Sequence, residues 1–205
     1  MSYIFKNKKI YNTDIFAFSN TLLFLFMCIV VYFDRFVKYR GAANIHEFFF
    51  YAFVIFLVIF LSWVKFRTFR VKSYILVAIQ ITILIHFAGA FIQLDDHRLY
   101  DLRFFDIRYD KFVHYTNSLL GAFIIHYLFK KKNIDIGRIT LAFVGFIVLG
   151  IGALIEILEF IVVLSIPHNG VGDYINNMSD LISNLLGVST YALINYKKQA
   201  KHEKQ

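Results

Sequence analysis

The sequence predicts an all-α fold: a polytopic membrane helical bundle of six transmembrane helices with both termini in the cytoplasm. Three observations predict it. Of the 205 residues 59% are hydrophobic, and the mean hydropathy is +0.60, where a soluble domain runs to about 45–50% apolar. Phe occurs 25 times and Pro once, too little turn chemistry for a soluble fold of this length. The basic residues, which give a net charge of +8, are sorted by side of a membrane rather than gathered in a patch, so nucleic-acid binding loses its main support. The single Cys28 lies within an apolar run, which leaves no disulfide framework and no thiolate metal site.

Apolar windows long enough to cross a ~30 Å hydrocarbon core fall at 15–33, 47–64, 73–94, 112–129, 139–165 and 179–196. The first is interrupted by Ser19, Asn20 and Thr21 and follows Lys6, Lys8 and Lys9, as a signal peptide would. Its length and the lack of a small-residue cleavage site favour a retained span. Lys and Arg then set orientation. The N-terminus, "VKFRTFRVK", "KKKNIDIGR" and the tail "KKQAKHEKQ" hold 15 of the 22 basic residues, all on one predicted side. By the positive-inside rule that side is the cytoplasm. Residues 1–196 are expected to form one transmembrane domain and 197–205 a flexible basic tail. The third loop, "QLDDHRLYDLRFFDIRYDK", carries five acidic residues, and the fifth, "PHNGVGDYINNMSD", carries no Lys or Arg.

With that orientation, the polar residues of the spans share one depth, toward the extracytoplasmic side. Asp110 and His114 open span four; Glu156 and Glu159 lie late in span five; Asp173 precedes span six, and Asp180 and Asn184 open it. His86 lies late in span three, before Asp95 and Asp96. Spacing groups them further. Asp110 and His114 are i,i+4 and Asn117 extends that face; Glu156 and Glu159 are i,i+3. Gly145, Leu149, Gly152, Glu156 and Glu159 form one stripe whose small residues admit a neighbouring helix. Asp180, Asn184, Gly187 and Tyr191 stack alike. Two carboxylates one turn apart repel if both are ionised, so at least one Glu is expected to be protonated, paired or metal-bound. Asp110, Lys111 and Asp180 also suit plain interfacial residues at span ends. His46, His97, His126, His168 and His202 have no partner by spacing and receive no site role.

"HFAGAF", "RYDKFVHY", "EILEF" and "GVGDYINNMSD" occur in that order, and the order resembles the YjdF-like bacterial inner-membrane proteins. Those have a His–Gly span, YDR-x-x-H, Glu-x-x-Glu-Trp and a GDxWD…D loop. The stretch from Asp180 through Asn184 to Gly187 is similar to VanZ-like proteins, with their D-x-x-x-N-x-x-G ending. The resemblance covers about residues 86–191 and matches His86, Asp110, His114, Glu156, Glu159, Asp173, Asp180 and Asn184. Phe160 stands where the YjdF-like pattern has Trp, and Asn176 where it has a second Asp. VanZ-like proteins are linked to tolerance of glycopeptides that act on the cell wall, which implies a cell-envelope setting for this chain.

Three functions compete. In the first, Asp110, His114, Glu156, Glu159, Asp173, Asp180 and Asn184 bind a lipid or lipid-linked headgroup. The second is a metal-dependent intramembrane hydrolase of a lipid ester or phosphoester, with catalytic candidates His114, Glu156, Glu159 and Asp180. A divalent metal is then the candidate cofactor, on His86, His114, Glu156, Glu159 and Asp173; an oxygen-rich set with imidazole suits Mg, Mn or Zn. The E-x-x-H spacing of di-iron bundles is absent. The third is proton-coupled transport through the Glu pair and His114, against which stands the crowding of polar residues on one side. Ser118, Ser165 and Ser183 lack the turn context of a nucleophile, and no Gly-rich phosphate loop occurs. Membrane lipids are the expected partners.

Overall fold

The computed structural model describes residues 9–69, 71–94, 97–135, 137–165 and 174–202. Its helices are α1 (Asn12–Met27), α2 (Phe33–Arg40), α3 (Ile45–Phe66), α4 (Ser73–Phe91), α5 (Tyr109–Lys131), α6 (Arg138–Ser165) and α7 (Tyr174–His202). A π-helical turn, Cys28–Tyr32, joins α1 to α2, so these two continue one rod. Among the described residues, four stretches are long and apolar enough to cross a membrane: Asn12–Lys38, Ala42–Phe66, Ser73–Phe91 and Arg138–Ile161. The other two long helices, α5 with 23 residues and α7 with 29, reach about 35 Å or more at 1.5 Å per residue but carry charges and amides. The helix α7 continues past Tyr196 into the basic tail, where Ala, Gln and Lys are good helix formers and cations suit a helix C-terminus.

The chain divides into two compact units, 1–80 and 81–205, with the division inside α4. In the first, Asp14 joins the start of α1 to the end of α3. Its carboxylate accepts from Trp63 Nε1 and Arg67 Nε, both at 2.8 Å, and from the Tyr11 amide at 2.9 Å. Arg40 and Glu47 pair at 2.9 Å between α2 and α3. The polar interruption of the first span is resolved by pairing: Asn20, buried, donates to Gln80 Oε1 at 2.8 Å, and Thr21 donates to the Ala17 carbonyl. No residue of α3 is buried, and its Phe49, Phe50, Phe53 and Val58 stand exposed, as lipid contact requires.

In the second unit α5 packs most extensively on α7, and α6 covers both. Lipid tails are as apolar as Leu, so close van der Waals packing and interhelical hydrogen bonds must hold such helices together. Gly187 lets the backbones of α5 and α7 meet: a Cβ there would collide with the Tyr115 carbonyl oxygen and lie 3.1 Å from the Leu119 nitrogen. Gly145 and Gly152 of the α6 stripe face Val188 and Asn184 of α7. Ala122, Leu141, Val144, Val148, Val188 and Tyr191 form the apolar core, closed by a 2.6 Å hydrogen bond between the Tyr191 hydroxyl and His126 Nδ1.

The connection from α4 to α5, expected as a loop, contains two antiparallel hairpins. Gln93–Leu94 (β1) pairs with His97–Arg98 (β2), and Arg103–Phe104 (β3) with Ile107–Arg108 (β4). Phe105 and Asp106, at φ 51° and 63°, make the second tip with two left-handed residues, as a mirror-image two-residue turn demands. Neither is the Gly or Asn that sequence rules look for, which hid the hairpin.

The close approach at Gly187 sets a first test. Gly187→Ala is expected to destabilise the protein by about 1–3 kcal/mol, the range for forcing atoms into a filled contact. Thermal unfolding in detergent reads it as a lower midpoint. Gly150→Ala, with nothing within 4 Å of the added carbon, is expected to leave the midpoint unchanged or slightly higher.

Candidate functional site

The polar ends of α5 and α7 converge on the Lys111 ammonium. Its Nζ donates to Asp180 Oδ1 at 2.6 Å, Asn176 Oδ1 at 2.9 Å, the Asn176 carbonyl at 3.1 Å and Asp110 Oδ2 at 3.2 Å. Asp180 is 1% exposed. Isolated burial of a carboxylate is prohibitive, so its partner must be close and well placed. Asn176 completes the set. Its Oδ1 also accepts from Arg108 Nη1 at 2.6 Å, and its Nδ2 donates to Asp180 Oδ2 at 2.9 Å. Asn176 therefore links two cations to a buried acid, its amide accepting through oxygen and donating through nitrogen.

His114 lies beside this network, one turn along from Asp110. Its Nε2 is 3.5 Å from Asp180 Oδ1 and 3.7 Å from Asp110 Oδ1, and its Nδ1 is 3.6 Å from Glu156 Oε1. These separations are close in charge terms yet beyond hydrogen-bond length. Glu156 is 4% exposed, and neither of its oxygens has a hydrogen-bond partner. Below it, Ser118 Oγ donates to Asn184 Oδ1 at 2.7 Å, while Asn184 Nδ2 rests over Gly152. Any side chain at 152 would displace that amide, so the small residue serves placement of Asn184.

A cavity of about 490 Å³ opens beside the cluster within the second unit. Arg98, Asp101 and Arg108 line it with His86 and Tyr100. Asp101 binds Arg98 through two hydrogen bonds, at 2.5 and 2.9 Å, and accepts from Arg108 at 3.3 Å. Two guanidiniums share one carboxylate, so this trio carries one positive charge in excess. Val113, Ile124, Val148, Ile151 and Ile155 form the apolar wall.

His86, Asp110, His114, Glu159 and Asn184 line this cavity, with Asp180 and Glu156 in contact with His114 behind it. His86 is held apart from the carboxylates by a 2.5 Å hydrogen bond between its Nδ1 and the Tyr100 hydroxyl. Gly89 makes room for that ring: a Cβ there would lie 2.8 Å from Tyr100. Donor atoms that converge within 4.8 Å belong to Asp110, His114 and Asp180; among the described residues, the expected metal set of His86, Glu156 and Glu159 around His114 does not close in that way. Asp173 lies outside the described residues, as do His168, Asp95 and Asp96. Sequence reasoning passed over Tyr100, Arg98, Arg108 and the central part of Lys111. The signal for Tyr100 lay in His86 and Gly89 at i,i+3, one residue to bond the ring and one to admit it.

An all-α chain with several helices apolar enough for hydrocarbon and its polar side chains gathered inside a helix bundle is a multi-pass membrane protein. This chain belongs to the family described as "Predicted membrane protein (DUF2238)", which matches residues 17–201. No curated protein and no solved structure matches it.

Asn176 tests the network. Asn176→Leu removes the shared acceptor of Arg108 and Lys111 and the donor to Asp180, with an expected loss of about 2–3 kcal/mol for stranded charged groups. The fall in thermal midpoint should exceed that of Asn195→Leu, which loses a single bond to the Tyr191 carbonyl.

Proposed function

We propose that this protein binds an anionic lipid or lipid-linked headgroup in the cavity of its second unit, at the extracytoplasmic face of the bacterial cell membrane. One observation carries it: the cavity is amphiphilic. Arg98 and Arg108, sharing Asp101, line it together with Val113, Ile124, Val148, Ile151 and Ile155. Guanidinium groups bind phosphate bidentately, and branched aliphatic side chains accept an acyl or isoprenoid chain. Tyr100 and His86 add neutral donors. The cavity's size falls in the range of small-molecule sites, about 300–1,000 Å³. The YjdF-like and VanZ-like resemblance supports an envelope setting.

Under this proposal all six long helical rods span the bilayer, with both termini in the cytoplasm. Support comes from 15 of the 22 basic residues, which flank the opposite ends of the helices from Asp110, Glu156 and Asp180. Pairing of α5 with α7 lets two polar helices stand in a bilayer, because each hides the other's charges.

Native mass spectrometry of the detergent-released protein tests the headgroup reading. Phosphatidylglycerol is expected to be retained over phosphatidylcholine, and Arg98→Ala and Arg108→Ala should each weaken retention about tenfold, the worth of one charged hydrogen bond. Ile151→Trp should block retention with both arginines intact. Equal retention of the two lipids, or no change in the arginine variants, rejects the proposal.

Orientation has its own test. In a Cys28→Ala background, Phe105→Cys, fully exposed at its hairpin tip, should react with a membrane-impermeant maleimide on intact cells. Lys132→Cys should react only after permeabilisation; the reverse pattern inverts the topology.

A further inference from the structure

We infer that Asp110, His114 and Asp180 form a binding site for one divalent first-row metal ion, with Glu156 orienting His114 from behind and Lys111 competing with the ion for Asp180. It is independent of the headgroup proposal, which rests on the arginines and the apolar wall.

The donor atoms come first. One ligand atom each from Asp110, His114 and Asp180 lies within 4.8 Å of the others, and His114 Nε2 is 3.7 Å from Asp110 Oδ1 and 3.5 Å from Asp180 Oδ1. At metal–ligand distances of about 2.0–2.2 Å, adjacent ligands of a tetrahedral or octahedral ion stand about 2.9–3.6 Å apart. The two nitrogen–oxygen separations are too long for hydrogen bonds and lie within a few tenths of an ångström of such polyhedron edges. Three ligands on α5 and α7 would leave further positions open toward the cavity that Asp110 and His114 line.

Glu156 is the second and separate observation. It is 4% exposed, neither oxygen has a hydrogen-bond partner, and Oε1 faces His114 Nδ1 at 3.6 Å. A buried carboxylate without partners is costly. It has a physical reason to be there if Nδ1 carries the proton and turns it toward Glu156, which leaves Nε2 unprotonated and aimed at the two aspartates. Metal-bound histidines are oriented by a carboxylate on their other nitrogen in this way. With one imidazole and two carboxylates as donors, Mn²⁺ and Zn²⁺ suit the set better than Mg²⁺, which prefers oxygen and keeps its water.

Lys111 supplies the counter-argument and the most informative test. Its ammonium holds Asp180 Oδ1 at 2.6 Å, the same oxygen the ion needs. It also has a place to go, since the Asn176 carbonyl and Oδ1 lie at 3.1 and 2.9 Å. Ammonium and metal are therefore alternative counter-charges for one buried acid. Removal of the ammonium should favour the metal, whereas a merely structural cluster would only lose stability.

The experiment uses the full chain in detergent, tag removed, equilibrated with MnCl₂ or ZnCl₂ and measured by metal analysis and titration calorimetry. One equivalent is expected for the wild type, lost in His114→Ala and Asp180→Asn, and bound about tenfold more weakly in Glu156→Gln, at the low end for such orienting carboxylates. Lys111→Met is expected to bind at least tenfold more tightly than wild type, a gain that misfolding does not imitate. Bound Mn²⁺ should show imidazole nitrogen coupling in pulsed electron paramagnetic resonance, absent in His114→Ala. No stoichiometric metal in either wild type or Lys111→Met overturns the inference, as does metal retained with its nitrogen coupling in His114→Ala.

Discussion

A buried carboxylate governs the second unit. Asp180 sits in the contact between α5 and α7 with 1% of its surface exposed, where a lone charge would cost several kcal/mol even after relaxation. Lys111 at 2.6 Å answers that cost, and Asn176 holds both partners. Much else follows from keeping this pair dry and in register. It fixes the rotation of α5 about its axis and so turns Asp110 and His114 inward with it. It fixes the start of α7, and through Asn176 it ties Arg108 at the end of the second hairpin to the bundle.

The glycines serve the same constraint. Backbone contact at Gly187 brings α7 near enough to α5 for a lysine and an aspartate to meet without water between them, and Gly152 gives Asn184 its place under α6. The helix α6, with Phe143, Phe146, Leu154 and Leu158 exposed, suits hydrocarbon on one side while its glycine stripe faces α7. One apolar helix thus covers two polar ones. The cavity is lined both by α6, from Val148 to Glu159, and by the hairpin segment with Arg98, Tyr100 and Arg108.

Much of the fold was legible because hydrocarbon imposes a coarse code. A run of about 20 apolar residues reports a membrane-compatible helix whatever packs against it; five of the six windows fall within helical stretches, and the third, 73–94, overruns its helix end at Phe91 into the strand Gln93–Leu94. Depth was legible too, since Asp110, His114, Glu156 and Asp180 occur at the same ends of antiparallel helices. The i,i+4 and i,i+3 spacings put each residue on the proper face, and the face of α7 running through Asp180, Asn184, Gly187 and Tyr191 packs inward. What escaped was everything carried by irregular backbone: neither the tip at Phe105 and Asp106 nor the Tyr100 seat above Gly89 has a periodicity to read.

Sequence alone determined the helices, their membrane character and the set of polar residues that share a depth, because each depends on local composition and on spacing along one helix. Tertiary structure decided which of those residues touch. Lys111 read as an ordinary span-end cation and donates to Asp110, Asn176 and Asp180; His86, similar in motif to the others, bonds Tyr100 instead of a carboxylate; Asn176, read as the loss of an acid, links two cations to Asp180. Contacts between helices depend on the rotation and separation of rods distant in sequence, set here by a glycine 72 positions from the Tyr115 carbonyl it meets, and no one-dimensional pattern encodes that distance.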